Sequence, residues 1–410
     1  MPPDRLRLVV LGTGFGAFNL LKNIGREYSV TVISPRNHFL FTPLLPSTTV
    51  GTIEFRSIIE PIRHARRITD FFLASAESLD LTAKSVRCRG VADGDAFSVA
   101  YDILVIAVGS VSDTFGVPGA KEHALFLKDL NDARELRQRI IQCFERASLP
   151  NLSPEERKQL VHFVICGGGP TGVEFAAELN DFLFEDLRDS YPALVAEATI
   201  TIVEATDEIL STFDAKLRKY AMETFRRSRI QVRTHALVAR VEPGRAFLAD
   251  GSALDFALLL WSTGNGPTSI VREAPLQRDN RGRILVDPLL CAEGQKDIYA
   301  IGDCALLRPV ALPATAQVAQ QEGKYLGHAL TRLARGKPVL PFRYRHYGML
   351  AYIGGDKALA DLESVKGRGW ATWLFWRSAY LSRIVSLRNK TLVLFDWFKT
   401  LVFGRDISQF

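Results

Sequence analysis

The run Leu8-Val9-Val10-Leu11-Gly12-Thr13-Gly14-Phe15-Gly16-Ala17 decides how this chain folds. Four apolar residues without alternation read as a short strand buried on both faces, as in a parallel sheet. The glycines that follow fit G-x-G-x-x-G/A, and Phe18 to Ile24 continues as a helix with an apolar face. Gly12 permits the tight turn, Gly14 lets backbone approach a pyrophosphate, and Ala17 lets the helix lie close to the strand. Gly16 stands inside the same loop. The helix N-terminus then offers N–H groups to phosphate. The next strand, Val30-Thr31-Val32-Ile33, ends at Ser34.

The pattern returns in mid-chain. Val161 to Cys166 is the strand, Gly167-Gly168-Gly169-Pro170-Thr171-Gly172 the turn, and Val173 to Leu179 opens the helix. Thr199-Ile200-Thr201-Ile202-Val203 is the following strand, and it ends at Glu204. A carboxylate there can accept hydrogen bonds from both hydroxyls of an adenosine ribose and repels a 2′-phosphate, so NADH is expected over NADPH. One glycine loop is a weak signal, but two, each between strand and helix, predict an α/β chain with two Rossmann-like dinucleotide-binding domains. Tyr101 to Ser110 and Leu258 to Gly264 read as strands closing each half, with Gly109 and Gly264 where backbone passes close to a ligand. Asp297 to Asp303 is a further short strand ending in Gly302 and Asp303; a carboxylate there can bind a flavin's ribityl hydroxyls or cap a helix.

Composition sets outer limits. The chain has 410 residues, 47% hydrophobic and 23% charged, ordinary for a packed protein of two domains and a tail. Its net charge of +6 is a mild excess, compatible with an anionic surface or with plain solubility. The five cysteines (Cys88, Cys143, Cys166, Cys291, Cys304) form no C-x-x-C pair, which predicts small packing residues in a reducing compartment. The opening Met1-Pro2-Pro3-Asp4 runs straight into a strand and leaves no room for a leader peptide, which the protein either does not need or has already lost. No metal-ligand cluster, Ser–His–Asp set or paired-carboxylate spacing stands out. That suits hydride chemistry, which a cofactor performs.

From Trp370 the composition changes. Trp370, Trp373, Phe375, Trp376, Tyr380, Phe395, Trp397, Phe398 and Phe403 are interleaved with Arg377, Arg383, Arg388, Lys390, Lys399 and Arg405, with no Pro or Gly from Trp370 to Phe403. This predicts one or two amphipathic helices lying in a membrane interface through residues 370–405, with the charges breaking any spanning run. The competing reading is a helical hairpin covering its own domain or a dimer partner. The mixing of basic residues with aromatics favours lipid, and no nucleic-acid partner is expected.

At these residues the sequence resembles the two-dinucleotide-binding-domain flavoproteins of glutathione-reductase-like fold. More narrowly, it resembles the type II, non-proton-pumping NADH:quinone oxidoreductases, along essentially the whole chain. Ser34 to Pro46 is similar to that family's segment after the second strand, and Gly167 to Glu174 to its NADH loop. Ala316-Gln317-Val318-Ala319-Gln320-Gln321-Glu322-Gly323 is similar to its quinone-site motif, and Asp396 to Asp406 to the tail of its mitochondrial-type branch. The resemblance implies a respiratory-chain enzyme that moves hydride from NADH to FAD and then two electrons to a ubiquinone-like quinone. It implies that Gly12, Gly14 and Ala17 cradle the FAD pyrophosphate, Arg36 lies along its adenosine and Asp303 binds its ribityl chain. Gly167, Gly169 and Gly172 would hold NADH and Glu204 its ribose. Glu174, in the second helix's first turn, would sit near nicotinamide and flavin, and Gln317 and Gln320 would face the quinone side. Two departures stand out: Ser34 replaces the usual acid, and Gln320 stands where some relatives carry histidine.

The domains expected are an FAD domain of residues 1–118 and 280–335, an NADH domain of 119–279, and a membrane-anchoring region of 336–410, with Phe342 to Asp356 as a strand pair and Leu149 to Pro154 as a linker. A homodimer attached monotopically to a mitochondrial inner or bacterial cytoplasmic membrane is expected. The alternatives are a sulfide:quinone-reductase-like flavoprotein, which wants a cysteine pair beside the flavin, and a flavin-binding protein like some cell-death factors.

Overall fold

The computed structural model describes residues 5–65 and 67–408; the opening Met1 to Asp4 lies outside them. The chain forms two compact units. The first comprises residues 1–40, 59–111 and 265–346, and the second 41–58, 112–264 and 347–410.

The first unit is built on a seven-stranded sheet. Its order is Ile298–Ala300, Ile103–Ile106, Leu6–Leu11, Tyr28–Ser34, Asp70–Asp80, Ser85–Gly90, Ala96–Ala100. The first five strands are mutually parallel and the last two antiparallel. Leu8 to Leu11 are fully buried, as expected of a strand covered on both faces. Leu6–Leu11 has Tyr28–Ser34 on one side and Ile103–Ile106 on the other. Its end is therefore a topological switch point, where open α/β sheets bind ligands. The helix Phe15–Asn23 starts here, three residues earlier than the sequence pattern suggested, with Gly14 as its N-cap. The helix Ala316–Ala334 lies against it so closely that a Cβ on Gly323 would stand 2.1 Å from the Gly16 carbonyl oxygen.

The second unit repeats the plan with four parallel strands, in the order Ile230–Arg233, Thr199–Val203, His162–Cys166, Leu258–Trp261. Here the helix Pro170–Phe182 starts at Gly169. An antiparallel three-stranded sheet from Val238 to Asp255 closes its core with Val164, Val203, Leu259 and Trp261. The expected linker of Leu149 to Pro154 falls between the helices Leu130–Ala147 and Pro154–Leu160, with Pro154 already the first residue of the second.

The partition differs from the expected one in the tail. Residues 347–410 are part of the second unit rather than a third region, and residues 41–58 join them there. The strand pair expected over Phe342 to Asp356 is instead a three-stranded antiparallel sheet, Met349–Tyr352, Ala358–Asp361 and Lys366–Gly369. Two helices follow, Trp370–Arg383 and Leu387–Phe403. Their inner face buries Trp373, Trp376, Tyr380, Val393 and Trp397. Asp396 accepts hydrogen bonds from the Ser57 hydroxyl and the Glu54 N–H. Arg405, 7% exposed, pairs with Asp186 and Glu185.

Candidate active site: two glycine loops and a glutamine helix

The glycines of the first loop divide into two kinds. Gly12 has φ +107°, and a Cβ there would meet the Ala107 carbonyl oxygen at 2.3 Å, so the turn itself demands it. Gly14, by contrast, has nothing beyond its own stretch of chain within 4 Å of where a Cβ would be; Gly109 is as open, but its φ of +70° itself favours glycine. Gly14 caps its helix without a side-chain hydrogen bond, so the space and the helix N–H groups form a cradle for an anion. Gly16 packs on Ile301, and Ala17 is fully buried. At the end of the second strand the buried Ser34 hydroxyl meets Thr13 Oγ1 at 3.2 Å and accepts from the Arg36 N–H. Gly302 has φ +75° and gives its N–H to Glu322 at 2.6 Å. Asp303 accepts from the Ser110 hydroxyl at 2.9 Å and lies within a short 3-10 turn rather than at a helix cap. The residues of this loop fit a dinucleotide: an open glycine cradle at a parallel-strand switch point, with a carboxylate beside it.

The second loop uses the same division. Gly167 has φ +113° and passes the backbone of Ser262; Gly172 faces the Gly167 carbonyl oxygen at 2.2 Å from its virtual Cβ. Gly169 is open and caps its helix without a side-chain bond. Glu204, half-buried, accepts from the Gly168 N–H at 2.7 Å and from the Thr206 N–H and hydroxyl at 2.9 Å each. The strand-end acid thus also ties the loop to its own strand. Gly264 is not an open site: a Cβ there would meet the Asp113 carbonyl oxygen at 2.3 Å, so backbone packing accounts for it.

Glu174 departs from its expected setting. The helix starts at Pro170, which puts Glu174 beyond the first turn, where the dipole argument no longer holds. It is buried and accepts from the Tyr352 N–H at 3.0 Å. Burial, reinforced by Glu178 on the same helix, pushes its carboxyl up to about 8. Asp181, bonded by the Tyr352 hydroxyl, is pushed up to about 7 for the same first reason. These carboxyls share one helix face, a feature the 3.6-residue spacing of Glu174, Glu178 and Asp181 could have shown.

Gln317 and Gln320 are both half-buried on the helix Ala316–Ala334, capped by Thr315. Gln317 Oε1 accepts the Tyr344 hydroxyl at 2.6 Å. Tyr344 and His346 escaped the sequence reading, because the segment from Phe342 to His346 has no periodicity; Gln321 escaped it although it was quoted within the motif. Glu322 escaped it too, although it was quoted within the motif. Burial pushes its carboxyl up to about 7 while it holds the Gly302 N–H.

All five cysteines are buried free thiols. Burial pushes Cys166 and Cys304 up to about 12, so neither is a ready thiolate.

Residues 6–323 match the pyridine nucleotide-disulphide oxidoreductase family, and residues 346–406 the NDH2 C-terminal domain. A Dictyostelium discoideum protein named a probable NADH dehydrogenase is 46% identical, across 98% of this chain and 91% of its own. This chain belongs to the type II NADH:quinone oxidoreductases. An external NADH-ubiquinone oxidoreductase of Saccharomyces cerevisiae mitochondria is 40% identical, over 98% of this chain and 82% of that one. The solved NDH2 of Plasmodium falciparum, in complex with NADH, superposes with a TM-score of 0.93 at 27% identity, covering 99% and 100% of the two chains. A sulfide:quinone oxidoreductase from Aquifex aeolicus, at 18% identity and a TM-score of 0.75, shares the fold alone.

Proposed function

We propose that this type II enzyme holds FAD in the loop of Gly12, Gly14, Gly16 and Ala17, with Ser34, Arg36, Gly109, Gly302 and Asp303 around it. NADH binds at Gly167, Gly169, Gly172 and Glu204. When bound, FAD takes a hydride from NADH and returns two electrons to a quinone. The chain's own residues do the rest. Gly14 and Gly169 each leave a helix N-terminus open to a pyrophosphate, Glu204 selects a free ribose hydroxyl pair, and Asp303 holds polyol hydroxyls. Gln317 and Gln320 offer uncharged amides to quinone carbonyls, and Glu174, protonated at neutral pH, keeps a buried proton without a buried charge. The observation that carries this reading is the pair of open, side-chain-free helix caps, one in each unit, each at a parallel strand's end. The absence of a surface thiol among the described residues favours it over sulfide chemistry. Purified protein should be yellow, bleach with NADH faster than with NADPH, and regain colour on adding a short-chain ubiquinone; a protein that bleaches but never passes electrons to any quinone overturns the activity.

We further propose that the enzyme attaches monotopically to a membrane. Among the described residues no helix is long and apolar enough to cross one. Trp370, Phe375, Leu394, Phe395, Phe398, Leu401 and Phe403 nevertheless stand exposed on the two tail helices, far more apolar surface than a solvated helix pair needs. Arg383 and Arg388 are exposed beside them. Arg377 instead stacks on Trp373 and Trp397, and Arg405 and Lys399 pair with acids of their own unit, so half the basic residues first assigned to lipid are structural. Deleting the tail would strip the unit's core, so the test is substitution. Phe395, Phe398 and Phe403 together changed to Ser should abolish flotation with anionic liposomes at unchanged FAD content; retained flotation refutes the attachment. A homodimer sharing this face is part of the same proposal, and light scattering at the mass of one 45.6 kDa chain would remove it.

A further inference from the structure

Three donors converge on the strand-end acid of the second unit. Glu204 Oε2 accepts from the Gly168 N–H at 2.7 Å, and Oε1 accepts both the N–H and the hydroxyl of Thr206, each at 2.9 Å. All three lengths are ordinary for hydrogen bonds. The Thr206 hydroxyl has a second acceptor in reach, the Glu208 carbonyl oxygen at 3.1 Å. It has one proton to give, and the nearer, ionised oxygen is the stronger partner.

Backbone hydrogen bonds, not the carboxylate alone, hold these donors in place. The Gly168 carbonyl oxygen accepts the Leu210 N–H at 2.7 Å, and the Thr206 carbonyl oxygen accepts the His235 N–H at 2.8 Å. The Glu204 N–H donates to the Arg233 carbonyl oxygen and its own carbonyl oxygen accepts the Ala236 N–H, at 2.9 Å each. Donors fixed in this way around an anionic oxygen make an anion site, here filled by the chain's own side chain. We infer that Glu204 plugs a latent site for the 2′-phosphate of an NADPH-type dinucleotide, with Thr206 and the Gly168 N–H as its donors. This rests on Glu204 facing the adenosine ribose, as proposed above. A phosphate on that ribose meets the plug first, and meets the donors once the plug is gone. Selection of NADH then has two parts: repulsion by the carboxylate's charge, and occupation of the donors that a 2′-phosphate needs. The surrounding charge is mixed. Asp207 and Glu208 stand exposed in the same segment, and Glu208 is paired with Arg218 at 2.7 Å. The gain expected on unplugging is therefore moderate.

Calorimetric titration of the FAD-loaded full chain with NAD+ and NADP+, neither of which reacts with oxidised flavin, separates the two parts. Glu204→Ala empties the plug, whereas Glu204→Gln removes the charge and keeps an amide on the donors. The Kd of NADP+ should fall about tenfold in Glu204→Ala and only about threefold in Glu204→Gln. Charge alone would make the two gains equal. Adding Thr206→Val to Glu204→Ala should take back most of the gain, and adding Thr206→Ser should keep it. Binding of NAD+ should respond to neither addition. Equal gains in Glu204→Ala and Glu204→Gln, or a gain that survives Thr206→Val, would show that there is no latent site, and the assignment of Glu204 to the ribose would stand. Weakened NAD+ binding in Glu204→Ala with no gain for NADP+ would also overturn the inference. If Glu204→Ala leaves both nucleotides bound as in wild type, the assignment of Glu204 fails and takes this inference with it.

Discussion

The two glycine loops share a backbone solution and differ in what stands at the end of the neighbouring strand. In the first unit it is Ser34, buried and shared with Thr13 and the Arg36 N–H. In the second it is Glu204, half-exposed, with one oxygen on the Gly168 N–H and the other on Thr206. A carboxylate discriminates between a ribose and its 2′-phosphate by charge; a buried hydroxyl cannot. On the proposed assignment, the loop that releases its nucleotide each turnover would be the one with a charge filter, and the loop that keeps its nucleotide would rely on shape.

The sharpest way to break this comparison is to fill both open cradles. Gly14→Val and Gly169→Val introduce side chains where nothing beyond the adjoining stretch of chain lies within 4 Å of the Cβ, so both variants should fold. Gly14→Val should emerge without FAD and inactive. Gly169→Val should keep its FAD and lose affinity for NADH. Equal loss of colour in both would show that the loops are not distinct sites. Gly12→Ala differs in kind: φ +107° and the contact with Ala107 should cost about 3 kcal/mol or more of stability, seen in urea unfolding before any ligand is added.

A smaller effect is expected at the strand ends. Glu204→Gln should cut the preference for NADH over NADPH about tenfold, a difference of roughly 1.4 kcal/mol, while Ser34→Ala should leave that preference unchanged. The ratio of kcat/KM for the two nucleotides reads this directly.

The smallest effect concerns the helices behind the loops. Phe15–Asn23 carries no acid, whereas Pro170–Phe182 buries Glu174, Glu178 and Asp181. Glu174 goes from its ordinary 4.5 in the unfolded chain to about 8 in the fold. Between those values the folded state retains a proton that the unfolded state has released, so stability falls as pH rises from about 5 to 8. Glu174→Gln keeps an acceptor for the Tyr352 N–H and removes this dependence. Its unfolding midpoint should fall by a few degrees less than that of wild type across the same interval, and parallel curves would contradict the protonated assignment.

How much of this was legible in the sequence follows from range. The strand–loop–helix units were readable because turn, cap and helix lie within about a dozen residues, and Gly12 and Gly172 stand where a Cβ has no room. The helix starts were misread by three residues because the glycines after each cap are themselves helical. That shift moved Glu174 out of the first turn. The tail was legible as amphipathic, since apolar and basic residues alternate locally. Which residues face inward was not: Arg405 meets Asp186 across 219 positions, and Asp396 meets Ser57 across 339. The same holds for Tyr344, whose hydroxyl meets Gln317 across 27 positions. Charge pairs formed at such separation leave no local pattern, so Lys399 and Arg405 read as membrane-facing until the fold gave them partners.

The central claim is that the open cradle of the first unit holds FAD and that of the second feeds it from NADH. Anaerobic stopped-flow on the purified protein tests it most directly. One FAD per chain should bleach on mixing with NADH and recover on mixing with ubiquinone-1. A colourless protein that takes up no FAD when supplied would contradict the account.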